Sequence, residues 1–175
     1  MSLNNVTPGS KVPDVFNVII EISANADPIK FEVDKESGAV FVDRFVGTAM
    51  HYPTNYGYVP QTIAGDGDPV DVLVMTPFAL PVGVVIPCRP IGILHMEDEG
   101  GIDGKVLAVP TEKILPAYAG IKTLEDIPEI TRKQIAHFFE HYKDLEPGKW
   151  VKVTGWGDVD AAKKEVTDGL AAYQK

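Results

Sequence analysis

Apolar and polar positions alternate through much of the first two thirds of the chain; after that the rhythm becomes helical. VFNVIIEIS (15–23) is rich in β-branched residues and stops at ANADP, where Asn25, Asp27 and Pro28 signal a turn. In IKFEVD (29–34), Ile29, Phe31 and Val33 fall on one face and Lys30, Glu32 and Asp34 on the other. AVFVDRF (39–45) follows the turn signal Ser37-Gly38. Residues 71–75, VVIPCRPIGILHM (84–96) and KVLAVP (105–110) predict further strands, with Pro87 and Pro90 marking an edge or a bend. From Ile127 to Tyr142 the positions Ile127, Ile130, Ile135, Phe138 and Tyr142 predict a helix, with Pro128 in its first turn. WVKVTGW (150–156) returns to strand alternation. Asp158 then reads as the N-cap of a final helix with Val159, Ala162, Val166, Leu170 and Tyr173 on its apolar face. Many strands and two late helices predict an α+β domain: a small closed β-barrel, OB-like, with two main helices packed outside.

Length and composition narrow the class. The chain has 175 residues, 45% of them apolar and 23% charged, as expected of a globular protein with one core. No repeat or linker breaks it, so a single domain over residues 1–175 is expected. Sixteen basic residues against 25 acidic ones leave a net charge of −9. That balance argues against a nucleic-acid partner and against docking on an anionic membrane. The most apolar run, FALPVGVVIPC, is too short and too broken by proline to span a bilayer. The first ten residues show no secretory pattern, and the single cysteine, Cys88, rules out an internal disulfide. These features point to the cytoplasm.

The chemistry gathers in GDGDPVDVLV (65–74), where Asp66, Asp68 and Asp71 stand at the mouth of an apolar strand. Like charges this close raise the cost of ionising one another, so a solvated turn or a bound cation must relieve them. An EF-hand does not fit, because Asp71 and Pro77 stand where that loop needs Gly and Glu. GGIDGKV (100–106) is not a P-loop: Glu99 replaces its first Gly and Val106 its Ser or Thr. Asp98, Glu99 and Asp103 form a second acidic group, and Glu21 and Glu32 lie on strands joined by a short turn. Carboxylates without Cys or His favour Mg²⁺, Mn²⁺ or Ca²⁺, and paired ions of this kind serve displacement at phosphorus. Lys30, Arg44, Lys105 and Lys143 are interleaved with these acids and suit a phosphate-rich anion. Tyr52 and Tyr56 add hydroxyl donors, while Tyr58 reads as core filling.

At this point five strings resemble one family in order and spacing. They are DGDPVD (66–71), matching D-x-D-P-x-D; EISANADPIKFEVDKESGAVFVDR (21–44); YPTNYGYVP (52–60); DEGGIDGKV (98–106); and HFFEHYKDLEPGKWVKV (137–153). The chain resembles the soluble family I inorganic pyrophosphatases in their short bacterial form. The resemblance implies Mg²⁺-dependent hydrolysis of pyrophosphate to two phosphates, with several ions per site and Mn²⁺ or other divalent ions as substitutes. It implies that Asp66, Asp71 and Asp103 hold the tighter ion and that Asp71 shares a second, the two ions bridging the attacking water. Asp98 and Asp103 would hold an ion that arrives with substrate, and Glu32 would support another through water. Asp68 would be the catalytic base. Lys30, Arg44, Tyr56, Lys105, Tyr142 and Lys143 would bind the phosphates, and Glu21, Glu99 and Tyr52 would line the cavity in less defined roles. A homohexamer is also implied, assembled through surfaces that include the first helix.

Two rivals remain open on sequence. His137, Glu140 and His141 fit H-x-x-E-H, an inverted zinc-hydrolase pattern that places both histidines on one side of a helix. Their plainer role is as partly buried residues or as a subunit contact. The second rival is a non-catalytic barrel that only binds divalent cations.

Overall fold

The computed structural model describes residues 2–174. Five strands form a closed ring: β1 (Phe16–Ile22), β4 (Asn55–Tyr58), β5 (Asp71–Val74), β8 (Lys105–Pro110) and β6 (Val85–Asp98), with β6 returning to β1. β5 and β8 run parallel, and the other ring pairs are antiparallel. β9 (Val151–Gly157) and the short β7 (Gly101–Ile102) pair with the far end of β6. β2 (Ile29–Val33) and β3 (Val40–Phe45) make a separate hairpin. Helices α1 (Glu129–His141) and α2 (Val159–Tyr173) complete the α+β, OB-like architecture expected from the sequence.

Both faces of β5 and β8 are buried, which explains why they read as continuous apolar runs. Leu73, Leu107 and Val109 pack in one cluster with Ile135, Phe138 and Phe139 of α1. Val72, Val74, Val106 and Ala108 pack in the other with Ala162 and Val166 of α2. Each fully buried aliphatic side chain contributes about 1.5–3 kcal/mol, so two-sided burial makes these strands firm anchors for whatever stands at their ends.

Pro90 lies where β6 pairs with β8 alone, so it marks a local edge as well as a slip in register. Residues 85–88 pair with β1, residues 88–94 with β8 and residues 93–98 with β9, and the register slips between Pro90 and Gly92. The missing N–H of each proline is tolerated where the strand changes partners, and the bulge turns the chain around the ring. β4 is held close by Gly57: a Cβ there would lie 2.0 Å from the carbonyl oxygen of Ile19.

Both helices depart slightly from their expected apolar faces. Pro128 caps α1 from outside, and Ile130 in the first turn is 61% exposed. The other four expected positions, Ile127, Ile135, Phe138 and Tyr142, are buried, and Phe139 joins them. In α2, Asp158 is the N-cap, accepting from the Ala161 N–H at 2.9 Å. Ala162, Val166 and Gly169 form the buried stripe, whereas Tyr173 is 52% exposed.

Candidate active site

Strand register brings the site together. β5 and β8 are parallel, and Asp71 is the register partner of Lys105 at the first position of each. Both side chains therefore emerge at the same end of the ring and on the same face. Asp103 precedes β8, Asp98 closes β6, and Glu99 sits in the turn between β6 and β7. Tyr56 comes from β4, Glu21 from β1, Lys30 and Glu32 from β2, and Arg44 from β3. Tyr142 and Lys143 leave the C-terminus of α1, whose packing on the barrel aims them inward.

The loop before β5 is built by its own polar groups. Asp66 Oδ1 accepts from the Asp68 N–H at 3.0 Å, the Ala64 N–H donates to the Asp68 carbonyl at 2.6 Å, and Gly67 takes φ +92°. Gly is favoured at that φ because it carries no Cβ. The result is a tight arch that holds Asp66 and Asp68 beside Asp71.

The fifteen residues that the resemblance assigns to the site all line one cavity of about 750 Å³. Lys105 Nζ lies 2.5 Å from Asp71 and 2.6 Å from Asp103, with its side chain only 4% exposed. Lys143 Nζ lies 2.7 Å from Asp98 and 3.2 Å from Glu99. Lys30 Nζ lies 2.5 Å from Glu32 and 3.6 Å from Asp43, and Arg44 pairs with Glu146 and faces Asp43 at 3.7 Å. Asp68 stands at the mouth, largely exposed, with Lys35 Nζ 3.2 Å from its Oδ1.

Nine carboxylates line this cavity against six Lys and Arg side chains. The excess is costly in a partly dry space. Burial raises the pKa of Glu21 to about 8, although the Val33 N–H donates to its Oε1 at 2.8 Å. Burial also pushes Asp71 up, against the pull of Lys105, and raises Asp66. Asp98 behaves oppositely: burial acts to raise it, but the Lys143 ammonium and the Gly100 N–H outweigh that and hold it low. Burial keeps the phenols of Tyr52, Tyr56 and Tyr142 protonated and therefore able to donate.

Among the described residues, no three His, Cys, Asp or Glu side chains converge closely enough to hold an ion by themselves. Asp71 and Asp103 instead spread around the ammonium of Lys105. The donor set nevertheless suits a hard divalent cation, because it is made of oxygens, carries excess negative charge and contains buried carboxylates that need neutralising.

This arrangement can be compared with known proteins. A family model described as inorganic pyrophosphatase matches residues 18–174. The inorganic pyrophosphatase of Ralstonia nicotianae is 60% identical over 175 residues, covering all of both chains. That of Escherichia coli K12 is 61% identical, covering 100% of this chain and 98% of the relative. The chain belongs to the inorganic pyrophosphatase family. Solved structures agree. The Coxiella burnetii pyrophosphatase superposes with TM-score 0.93 at 54% identity, covering 96% of this chain and 99% of its own. The Thermus thermophilus enzyme gives TM-score 0.93 at 42% identity over the full length of both.

With the family known, the misplaced and missed residues stand out. Tyr58 lines the cavity and is half-buried, so it is not the core filler its neighbours suggested. Strand periodicity puts Tyr58 on the same face as Tyr56, two residues earlier, and that is the signal that could have found it. Asp43, Lys35, Lys149 and Glu146 were not assigned roles from sequence; the first three line the cavity, and Glu146 pairs with Arg44. The zinc pattern does not assemble. His137 and His141 are exposed, not partly buried, with ring centroids 4.7 Å apart, and His141 Nδ1 contacts Asp144 at 2.8 Å. They lie outside the acidic cavity. Among the described residues no helix is long and apolar enough to cross a membrane.

Proposed function

We propose that this chain hydrolyses inorganic pyrophosphate to two orthophosphates with divalent cations, Mg²⁺ foremost and Mn²⁺ or others as substitutes. The supporting observation is the mixed lining of one cavity, where carboxylates outnumber the cations interleaved with them. Such a lining repels an anion until divalent cations are added, and then offers both metal and ammonium groups to phosphate oxygens. In this reading Asp66, Asp71, Asp98, Asp103 and Glu32 hold the ions. The bound ions lower the pKa of water and polarise phosphoryl oxygens.

The protein's own groups do the rest. Lys30, Arg44, Lys105 and Lys143 orient the two phosphoryl groups and take up the charge that grows on the leaving phosphate. The phenols of Tyr56 and Tyr142 donate to phosphate oxygens. Asp68, at the mouth and free of the buried ion pairs, accepts the proton of the attacking water on its carboxylate. Lys105, paired with Asp71 and Asp103, would be available to the substrate once those carboxylates hold a cation.

The same reading gives a single catalytic domain, a homohexamer and a cytoplasmic location, where one buried cysteine in a reducing setting is at home. The test is orthophosphate release from pyrophosphate. The expected result is two orthophosphates per pyrophosphate in Mg²⁺, loss of activity in EDTA and recovery when Mg²⁺ is restored. Release that is indifferent to EDTA contradicts the metal assignment, and no release in Mg²⁺ contradicts the reaction.

A further inference from the structure

Glu146 lies in the loop that follows α1 and belongs to none of the groups assigned above. Its side chain is only 13% exposed. One carboxylate serves three donors: the Arg44 guanidinium, the Gly47 N–H at 3.3 Å and Lys149 Nζ at 3.4 Å. Its backbone N–H donates to the carbonyl of Lys143 at 2.9 Å. Glu146 therefore ties the end of β3, which carries Arg44, to the loop that carries Lys143. These two cations reach the cavity from elements that share no strand pairing.

A carboxylate beside a phosphate-binding arginine looks wasteful, since it cancels part of the charge that attracts the anion. Geometry supplies the reason. A free arginine has considerable rotamer entropy to lose on binding. A charge-assisted hydrogen bond fixes the guanidinium beforehand and moves that cost out of the binding step. Arg44 is three-quarters buried at the side chain but reaches the cavity from a two-stranded hairpin, which offers little rigidity of its own. An external brace is what such a residue lacks.

We infer that Glu146 is a positioning residue for pyrophosphate binding: it pre-orients Arg44 and sets its distance from Lys143. The inference rests on the pyrophosphatase reading of the cavity. It predicts that Glu146→Ala raises KM for pyrophosphate about tenfold while kcat stays within about twofold, as expected for loss of ground-state and transition-state binding alike. Glu146→Gln keeps the shape and an acceptor oxygen and should recover most of the loss. In an Arg44→Ala background, Glu146→Ala should cost almost nothing further, because its target is gone.

The experiment is steady-state phosphate release in Mg²⁺ for wild type, Glu146→Ala, Glu146→Gln, Arg44→Ala and the Ala double variant. Non-additive losses in kcat/KM, with the Gln variant near wild type, support the inference. An unchanged KM in Glu146→Ala, a Gln variant no better than Ala, or losses that multiply fully in the double variant overturn it. Should Glu146→Ala not fold, Glu146→Gln decides: a tenfold KM increase there also overturns the hydrogen-bonded brace. A wild type that releases no phosphate overturns the pyrophosphatase reading itself, a result separate from any of these.

Discussion

Glu21 is 7% exposed, accepts one backbone hydrogen bond and has its pKa raised by burial from 4.5 to about 8. The folded state therefore binds a proton more tightly than the unfolded chain. Stability from this group is retained below about pH 4.5 and is lost progressively as pH rises through about 8. In metal-free protein, Glu21→Gln keeps the acceptor for Val33 and removes the buried charge. Its stability relative to wild type should grow as pH rises across that window, by up to roughly 5 kcal/mol, read by urea denaturation in EDTA at several pH values. A difference independent of pH would contradict this account. At this scale the sequence was informative where charge is unusual. Three aspartates in six residues, with a Gly able to take φ +92° between the first two, announce a built loop. It was silent where a residue acts through a distant partner. Glu146 reads as one more surface acid, and only the fold brings it to Arg44, 102 positions earlier.

Elements were legible in proportion to their periodicity. β2, β9 and α2 follow from alternation and capping and β8 from its short apolar run, and their observed bounds differ little from those expected. β4 does not, because NYGY offers no alternation and contains the residue least suited to a strand. Its existence depends on Gly57 lying against the backbone of β1, a tertiary requirement. Gly57→Ala should therefore destabilise the protein by about 3 kcal/mol, since the new methyl meets a carbonyl oxygen that cannot rotate away. Chemical denaturation checks this, and a change below about 0.5 kcal/mol would show that β4 can shift cheaply. The N-cap of α2 makes a contrasting case. Asp158→Ala should cost about 1 kcal/mol of stability and leave pyrophosphate hydrolysis unchanged, because the cap supports a helix start remote from the acidic cavity. Thermal melting beside an activity assay separates the two effects.

For the whole molecule, the barrel explains why residues from so many parts of the chain meet. Closing the ring places the first residues of two parallel strands beside the last residues of a long antiparallel one, and the acids and lysines stand there. Spacing suggested hard-metal chemistry at phosphorus; five strings in family order named the reaction; closure of the ring accounts for their convergence. The proposed hexamer belongs to this scale too. His137 and His141 are exposed on α1, beside a second, shallower cavity lined by His51 and Lys133. Sedimentation at neutral pH checks the assembly: a hexamer is expected, and a monomer would contradict it. The central claim is that the acidic cavity performs the hydrolysis, with Asp68 taking the proton. Its most direct test is phosphate release from pyrophosphate in saturating Mg²⁺ by wild type and Asp68→Asn. The account predicts a folded variant whose kcat falls by about 10²–10⁴. A variant that works at the wild-type rate would contradict it.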